Sequence, residues 1–372
     1  MPIVAVIGDG QLARMMQTEA TELGLTIRLL AGAPTASAAQ VTPDITIGDY
    51  TELADVESVA REASAVTFDH EHVPNDYLNK LIDEGVSVQP KPEALRYAQN
   101  KLEMRKKMQE LGLPVPWFRE VDDPACLPHN TQLCLKAITG GYDGHGVWFT
   151  DDAPALAAEL IGEGVQLMAE KKIDLKRELS ILQARRPSGE IAQWDVTETI
   201  QRDGICVEAL APAPGITREQ EETIRHIGRT IAEELDVTGV LAVELFESTD
   251  GEILINELAM RPHNTGHWTQ DGSVTSQFEQ HLRAVLDWPL GSTARTAPVT
   301  CMVNTLGGEE EQDVPARMVE VWEAFPEAKI HLYGKSYRAG RKLGHVNVCG
   351  DTPEEVRARA REAAAIIVGE HD

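Results

Sequence analysis

The segment VELFESTDGEILINELAMRPHNTGHW, residues 243–268, has the pattern of a β-hairpin with a carboxylate on each strand. Asp250-Gly251 is a dipeptide favoured in two-residue type I′ turns, because both central residues of that turn need positive φ. A turn at this point places Glu244 directly opposite Glu257, with Cβ atoms roughly 5 Å apart. Two carboxylates that close repel by roughly 3 kcal/mol at an effective dielectric of about 20.

A cation is therefore expected between Glu244 and Glu257. Two carboxylates with few other protein ligands suit Mg²⁺ that also holds a nucleotide phosphate. The alternative is an exposed hairpin whose two acids are solvated. The apolar residues around the acids, and the cluster of Arg261, His263 and Asn264 that follows, favour the metal site.

The composition restricts the class of protein. A chain of 372 residues with 42% hydrophobic content predicts two or three globular domains. The net charge of −26 argues against nucleic acid as a partner, so anionic substrates need local basic clusters, which occur at 261–263 and 335–342. Five scattered cysteines indicate reduced thiols, and the absence of a long apolar run or a charged leader predicts a soluble, cytoplasmic protein without a membrane partner.

The pattern of elements changes along the chain. The first hundred residues alternate strand and helix, which predicts a doubly wound α/β domain that ends near Gln89-Pro90-Lys91-Pro92. A basic amphipathic helix is predicted at 100–111, and antiparallel strands at 178–186 and 190–201. Further helices are predicted at 153–162, 217–235, 274–287 and 353–367. The middle of the chain is interpreted as two lobes of a nucleotide clamp, and the part after Pro298 as a small mixed domain.

Two glycine-rich segments are candidate anion sites. The first, Gly8-Asp9-Gly10-Gln11-Leu12-Ala13, follows a buried strand and fits G-x-G-x-x-A, so a nicotinamide-dependent oxidoreductase is one alternative. The acidic ribose ligand expected about 20 residues later is missing. The second, TGGYDGHG at 139–146, can turn backbone N–H groups toward phosphate, although it could also be a plain hairpin loop.

Lysine 136 supports the phosphate-binding interpretation of the second segment. Lys136 shares a strand face with Cys134 and Ile138, where an ammonium group needs an anion, and an ATP phosphate is the expected one. A separate segment, Asp69-His70-Glu71-His72, looks rich in ligands. Zinc is disfavoured there because no third and fourth ligand are marked nearby.

Several motifs together resemble the ATP-grasp ligases that make N5-carboxyaminoimidazole ribonucleotide in purine synthesis. The matching segments are GDGQLARMM (8–16), TFDHEHVP (67–74), LKAITGGYDGHG (135–146), RELSILQAR (177–185), GVLAVELF (239–246), NELAMRPHNTGHWT with SQFEQHLRAVLDWPLG (256–291), and YGKSYRAGRKLGHV (333–346). The resemblance implies an α/β and α+β ATP-grasp fold in four parts. These are a Rossmann-like pre-ATP-grasp domain (1–100), a small lobe (101–174), a large lobe (175–295) and a C-terminal domain (296–372).

The resemblance also implies roles for individual residues. Glu244 and Glu257 would hold the metal, and Arg261, His263, Asn264, Tyr142 and Glu71 would be catalytic. The ATP site would consist of Lys101, Lys136, Gly141, Tyr142, Asp143, Gly144, His145, Gly146, Val147, Glu170, Lys171, Lys172, Ile173, Glu178, Gln201, Asn256 and Glu257. The ribonucleotide would contact Gly10, Gln11, Leu12, Glu71, Tyr142, His145, Arg261, His263, Lys335, Arg341 and Lys342. Read without the family, Glu170 and Glu178 would be surface acids.

The implied activity is carboxylation of 5-aminoimidazole ribonucleotide with ATP and bicarbonate through carboxyphosphate. The implied cofactors are ATP and Mg²⁺, with Mn²⁺ as an alternative ion, and the implied assembly is a homodimer. Two further alternatives are another ATP-grasp ligase that forms an acyl phosphate, such as a formate-using transformylase, and a non-enzymatic nucleotide sensor.

Overall fold

The protein is described by a computed structural model that covers residues 1–128, 132–141 and 145–370. The N-terminal elements alternate as predicted: β1 (Ile3–Ile7), α1 (Gln11–Leu23), β2 (Thr26–Ala31), β3 (Asp44–Ile47), α2 (Leu53–Ala60), β4 (Ala65–Phe68) and α3 (Asn75–Asp83). The strands form a parallel sheet in the order β3-β2-β1-β4. β1 is an inner strand and β4 an edge strand of this sheet, and both are apolar and largely buried. The prediction of a doubly wound α/β domain is confirmed.

Two helices follow this sheet, of which the sequence pattern predicted one. They are α4 (Pro92–Gln99) and α5 (Lys101–Glu110). The pattern around Pro92 predicts the end of the first domain and no helix, but proline is tolerated in the first turn of a helix, and here Pro92 begins α4. Asn100 caps α5, since its side chain accepts a hydrogen bond from Glu103 N.

A small antiparallel sheet comes next. It is built from β5 (Phe118–Val121), β6 (Leu133–Ala137), β7 (Val147–Thr150) and β8 (Leu167–Lys171), with α6 (Ala153–Gly162) packed on it. The strand order is β5-β8-β6-β7, so β6 and β8 are central neighbours. This pairing brings Lys136 and Glu170 close together.

The remaining strands form a large sheet, and helices connect them. They are β9 (Leu175–Arg185), β10 (Ile191–Gln193), β11 (Thr197–Arg202), β12 (Ile205–Ala211), α7 (Arg218–Glu234), β13 (Gly239–Ser248), β14 (Ile253–Ala259), α8 (Thr269–Gly272), α9 (Gln277–Val285), β15 (Val299–Leu306), α10 (Val314–Ala324), β16 (Lys329–Leu332), β17 (Lys342–Gly350) and α11 (Pro353–Val368). The strand predicted at 190–201 is in fact two strands, β10 and β11.

The C-terminal strands continue the sheet of the large lobe. The order is β14-β13-β9-β11-β12-β15-β17-β16, with β10 beside β9, and β15 pairs with β12. The part after Pro298 therefore adds strands to an existing sheet. The division of the chain at 100, 174 and 295 stays a prediction. In the part of the chain that the structure describes, no helix is long and apolar enough to cross a membrane.

The predicted hairpin forms, but the predicted turn is wrong. Ser248 N bonds Glu252 O and Gly251 N bonds Ser248 O, so the loop has three residues, with φ of 86° at Gly251. This is the loop in which a type I turn is followed by a glycine at positive φ. A register shift between Glu244 and Leu245 leaves Asn256 as an extra residue on β14. The bulge offsets the longer loop, so Glu244 still pairs with Glu257 as predicted.

His281 on α9 joins the N-terminal sheet to the large sheet. Val240 N donates to its Nδ1 at 3.0 Å, so the ring proton is on Nε2, which lies 2.8 Å from Thr67 Oγ1. Burial lowers the pKa of His281 to about 3. The ring is therefore neutral in the folded protein at neutral pH.

This burial predicts acid sensitivity. As the pH falls from 6.5 toward 3, the unfolded chain takes up a proton at His281 and the folded protein does not, so stability is lost at up to about 1.4 kcal/mol per pH unit. The measurement is the free energy of unfolding against pH for the wild type and for His281→Gln, which cannot titrate. The wild-type curve should be the steeper of the two below pH 6.5. Parallel curves would contradict the assignment.

Candidate active site

The paired carboxylates lie in an electrostatically unusual environment. Burial raises the pKa of Glu244 to about 8, and the nearby Glu257 and Glu178 add to the shift. Burial would also raise the pKa of Glu257, but Lys101 and Lys136 outweigh it and the pKa is lowered. Lys101 Nζ lies 2.6 Å from Glu257 Oε1. Lys101 thus provides one cationic partner for this pair, on the Glu257 side.

The donor set fits a magnesium ion bound together with a nucleotide. Among residues 1–128, 132–141 and 145–370, no group of three or more His, Cys, Asp or Glu side chains is arranged to hold a metal. The two hairpin carboxylates are acceptor oxygens that face each other. Mg²⁺ is commonly held by one or two carboxylates, with phosphate and water completing its shell, so this pair suits it.

Lys136 is buried next to a carboxylate of the protein itself. Its Nζ lies 2.7 Å from Glu170 Oε2 and 3.1 Å from Asn256 Oδ1, the amide in the β14 bulge. Arg105 Nε reaches the other oxygen of Glu170 at 2.5 Å. Burial alone would raise the pKa of Glu170, but Lys136 and Arg105 bring it to about 2.

These contacts correct two expectations. The anion that Lys136 requires is supplied by Glu170, so its burial does not by itself call for an ATP phosphate. Glu170 is only 2% exposed and is not a surface acid. Two cations around one carboxylate nevertheless leave a net positive charge, which favours an anionic ligand next to this group. Arg105 was missed in the sequence, although its i, i+4 spacing from Lys101 places both on one helix face.

The segment from Glu170 to Glu178 links the two sheets. β8 ends at Lys171 in the small sheet and β9 begins at Leu175 in the large sheet, so Lys172 and Ile173 lie in the connection. Glu178 accepts a hydrogen bond from the Gln201 side chain, and burial raises its pKa to about 6. Glu178 is thus partly buried, in contrast to the surface acid expected without the family.

The described ends of the second glycine-rich segment, which lies between β6 and β7, come close together. Ala137 N bonds Gly146 O at 2.8 Å, and Val147 pairs with Lys136. A Cβ on Gly141 would lie 2.7 Å from His145 O, so this approach requires glycine. The candidate residues Tyr142, Asp143 and Gly144 lie outside the described residues.

Residues 261–266, named here the donor loop, follow β14 directly. His263 Nε2 lies 3.5 Å from Glu244 Oε1, so this cluster and the hairpin are in contact. Burial lowers the pKa of His263 far below its usual range, helped by Arg261 and Lys342, so the ring is neutral. Asn264 is held at both ends, since its Nδ2 donates to Cys206 O and its Oδ1 accepts from Asn304 Nδ2.

The donor loop also contacts the segment after β4. Glu71 accepts hydrogen bonds from Met260 N at 2.7 Å and from Arg261 Nε at 3.1 Å. The neighbouring Asp69 accepts from Gly10 N, and burial raises the pKa of Asp69 to about 6 against the opposing charge of Arg261. Asp69 therefore ties the first glycine-rich loop to this site, a role the sequence pattern did not suggest.

The first glycine-rich loop and residues 335–342, named here the basic loop, contribute to the lining of one cavity of about 560 Å³. Its lining residues are Asp9, Gly10, Ala33, Thr35, Ala36, Ser37, Gly334, Lys335, Ser336 and Arg341. Lys335 Nζ donates to Gln11 Oε1 at 2.5 Å, while the side chain of Leu12 is buried in the core. Lys342 does not line this cavity, and its charge acts instead on Glu244 and His263.

Comparison with known proteins agrees with this geometry. The ribonucleotide synthetase preATP-grasp domain model matches residues 1–99, the ATP-grasp domain model residues 106–278, and the phosphoribosylaminoimidazole carboxylase C-terminal domain model residues 300–359. The N5-carboxyaminoimidazole ribonucleotide synthase of Corynebacterium ammoniagenes is 54% identical over 381 residues, covering 99% of this chain and 92% of that protein. The chain belongs to the N5-carboxyaminoimidazole ribonucleotide synthase family.

Solved structures of this family have the same fold. The ADP complex of an N5-carboxyaminoimidazole ribonucleotide synthetase superposes with a TM-score of 0.90 at 32% identity, covering 100% of this chain and 98% of that one. The Aspergillus clavatus enzyme in complex with ADP and 5-aminoimidazole ribonucleotide has a TM-score of 0.87 at 29% identity, covering 98% of each chain. The chain is therefore an ATP-grasp ligase of this family.

Proposed function

We propose that this protein carboxylates the exocyclic amine of 5-aminoimidazole ribonucleotide, using ATP and bicarbonate, in purine biosynthesis. The products are N5-carboxyaminoimidazole ribonucleotide, ADP and phosphate. The observation that carries the proposal is the position of the donor loop. It contacts Glu244 of the hairpin through His263, and it contacts the segment after β4 through the pair of Arg261 with Glu71.

The nucleotide would lie between the small and large sheets. Lys101, Lys136, Gly141 and Gly146 would neutralise and cradle its phosphates. Glu178 would accept the ribose hydroxyls, and Gln201, whose side chain donates to Glu178, would contact the nucleotide. Glu244 and Glu257 would hold Mg²⁺, which when bound would neutralise phosphate charge. Lys136 is already fixed by Glu170 and Asn256, so little reorganisation is needed when ATP binds.

The reaction would run in two steps. A bicarbonate oxygen attacks the γ-phosphorus, the bond to the β-phosphate oxygen breaks, and ADP leaves with carboxyphosphate formed. The amine nitrogen then bonds the carboxyl carbon, either directly or after CO₂ is released, and phosphate departs carrying the amine proton. Arg261 and the neutral His263 would hold the acyl phosphate, and Glu71, oriented by Arg261, would lie beside the amine.

The substrate's 5′-phosphate would bind in the 560 Å³ cavity, against the first glycine-rich loop, Lys335 and Arg341. The resemblance also supports a cytoplasmic homodimer, a role for Lys342 and His145 in substrate binding, and the four-part domain division given above. These assignments are part of the proposal.

Oxygen labelling tests the first step. With ¹⁸O-bicarbonate, label is expected in the released phosphate, because the attacking bicarbonate oxygen stays on phosphorus when the acyl phosphate breaks down. The measurement is the mass of the phosphate under full turnover, with each of ATP, bicarbonate and the ribonucleotide omitted in turn as controls. Unlabelled phosphate, or turnover with formate in place of bicarbonate, would favour the formate-using ligase.

A further inference from the structure

The side chain of Gln277, at the start of α9, bonds both backbone polar groups of a single residue in the donor loop. His263 N donates to Gln277 Oε1 at 2.8 Å, and Gln277 Nε2 donates to His263 O at 2.8 Å. The same Nε2 lies 2.9 Å from His267 Nδ1. Gln277 is fully buried, so these bonds form away from solvent.

The orientation of this amide follows from its partners. A backbone N–H only donates and a carbonyl only accepts. Reversing the amide would therefore place its NH₂ group against the N–H of His263 and its oxygen against the carbonyl oxygen of His263. Both Nε2 hydrogens are then used, and His267 Nδ1 has to be an acceptor with its ring proton on Nε2. Gln277 therefore fixes both the backbone of His263 and the tautomer of His267.

The donor loop also packs directly on this side chain. A Cβ on Gly266 would lie 2.6 Å from Gln277 Oε1 and 2.5 Å from Leu182 Cδ2, so the loop approaches Gln277 as closely as glycine allows. His263 Nδ1 is 3.0 Å from Thr265 Oγ1, which is itself 3.0 Å from Ser180 Oγ on β9. With the backbone and Nδ1 both held, Nε2 of His263 faces Glu244.

We infer that Gln277 is a positioning residue for catalysis, which holds the donor loop so that His263 faces Glu244 and the reacting groups. The inference rests on the proposed role of the donor loop. Gln277 is separated from the reacting groups by His263, so its effect is on the placement of other residues. A displacement of about 1 Å at the reacting groups can lower a rate by about a hundredfold.

The same helix provides a matched control. Gln280, one turn later on α9 and equally buried, forms the same pair of bonds with the backbone of Gly291, at 2.9 Å to its carbonyl and 2.7 Å from its N–H. Gly291 lies outside the donor loop. Replacing Gln280 therefore removes an equivalent buried clamp without disturbing His263.

The experiment compares Gln277→Met with Gln280→Met, because methionine has a similar length and no amide. Both variants should lower the melting temperature to a similar extent. Only Gln277→Met should lower kcat, by about tenfold to a hundredfold, with the KM for ATP within about twofold of the wild type. It should also release more phosphate per carboxylated product. Gln277→Asn, whose amide is too short for all three bonds, should change kcat in the same direction if the methionine variant does not fold.

Equal kcat values for Gln277→Met and Gln280→Met would overturn the inference, since Gln277 would then only stabilise the fold. His263→Ala separates this from the proposed function. If His263→Ala impairs turnover and Gln277→Met does not, the positioning role alone is wrong. If His263→Ala has normal turnover, the proposed role of the donor loop is wrong.

Discussion

Glu244→Gln is expected to lower turnover by roughly a thousandfold, because a catalytic metal supplies several kcal/mol of charge stabilisation. The ligand-free protein should be as stable as the wild type or slightly more so. Glu244 pairs with Glu257 across the hairpin, and its raised pKa means that the neutral amide of glutamine resembles the protonated acid. The measurements are kcat as a function of Mg²⁺ concentration and the melting temperature without ligand.

A second metal-site variant and a control variant complete this test. Glu257→Gln should also lose activity, but with some loss of stability, because Lys101 then loses a partner at 2.6 Å. Glu247→Gln is the control on the same strand, since Glu247 is buried and paired with Lys176, Arg177 and Gln220. It should lower the melting temperature and leave the Mg²⁺ dependence unchanged. Near-normal turnover in a destabilised Glu244→Gln would contradict the metal site.

The hairpin illustrates how far local sequence rules reach. Asp250-Gly251 correctly predicts the position of the turn, but the loop is one residue longer than predicted. The bulge adds one further residue, Asn256, to β14. The two errors cancel, so the predicted pairing of Glu244 with Glu257 is confirmed. Asn256 accepts a hydrogen bond from Lys136, which belongs to another sheet. A rule about neighbouring residues contains no information on such a contact.

Lys136 illustrates the same limit in a strand. Its position in an apolar strand correctly predicted that its ammonium group needs an anion, which is a local inference from desolvation. The partner, Glu170, depends on the pairing of β6 with β8, and Arg105 reaches Glu170 from a helix. Likewise, the pattern after Pro298 predicts a small mixed domain, but it does not reveal that the first strand of this part, β15, pairs with β12 and continues its sheet. Strand order is set by tertiary packing, which the sequence pattern does not reveal.

Arg341→Ala is expected to raise the KM for 5-aminoimidazole ribonucleotide about tenfold to a hundredfold. A guanidinium paired with a phosphate dianion makes charge-assisted hydrogen bonds worth roughly 1.5–3 kcal/mol. Arg341 lines the cavity with Gly10 and Lys335, and Ser336 holds its Nη1 at 3.1 Å through the carbonyl and 2.9 Å through the hydroxyl. The guanidinium is thus oriented before the substrate binds.

The effect should be selective for the ribonucleotide. The KM for ATP should stay nearly unchanged, because Lys101, Lys136 and the hairpin carboxylates lie apart from the cavity lining. The riboside that lacks the 5′-phosphate should be a poor substrate for the wild type, and Arg341→Ala should discriminate against it less. Arg338→Ala, in the same exposed basic loop but outside the cavity lining, is the control and should leave both KM values unchanged. A cation that binds the 5′-phosphate of the ribonucleotide changes the affinity for the ribonucleotide and not for ATP. A raised KM for ATP with an unchanged KM for the ribonucleotide would therefore assign the basic loop to the ATP site.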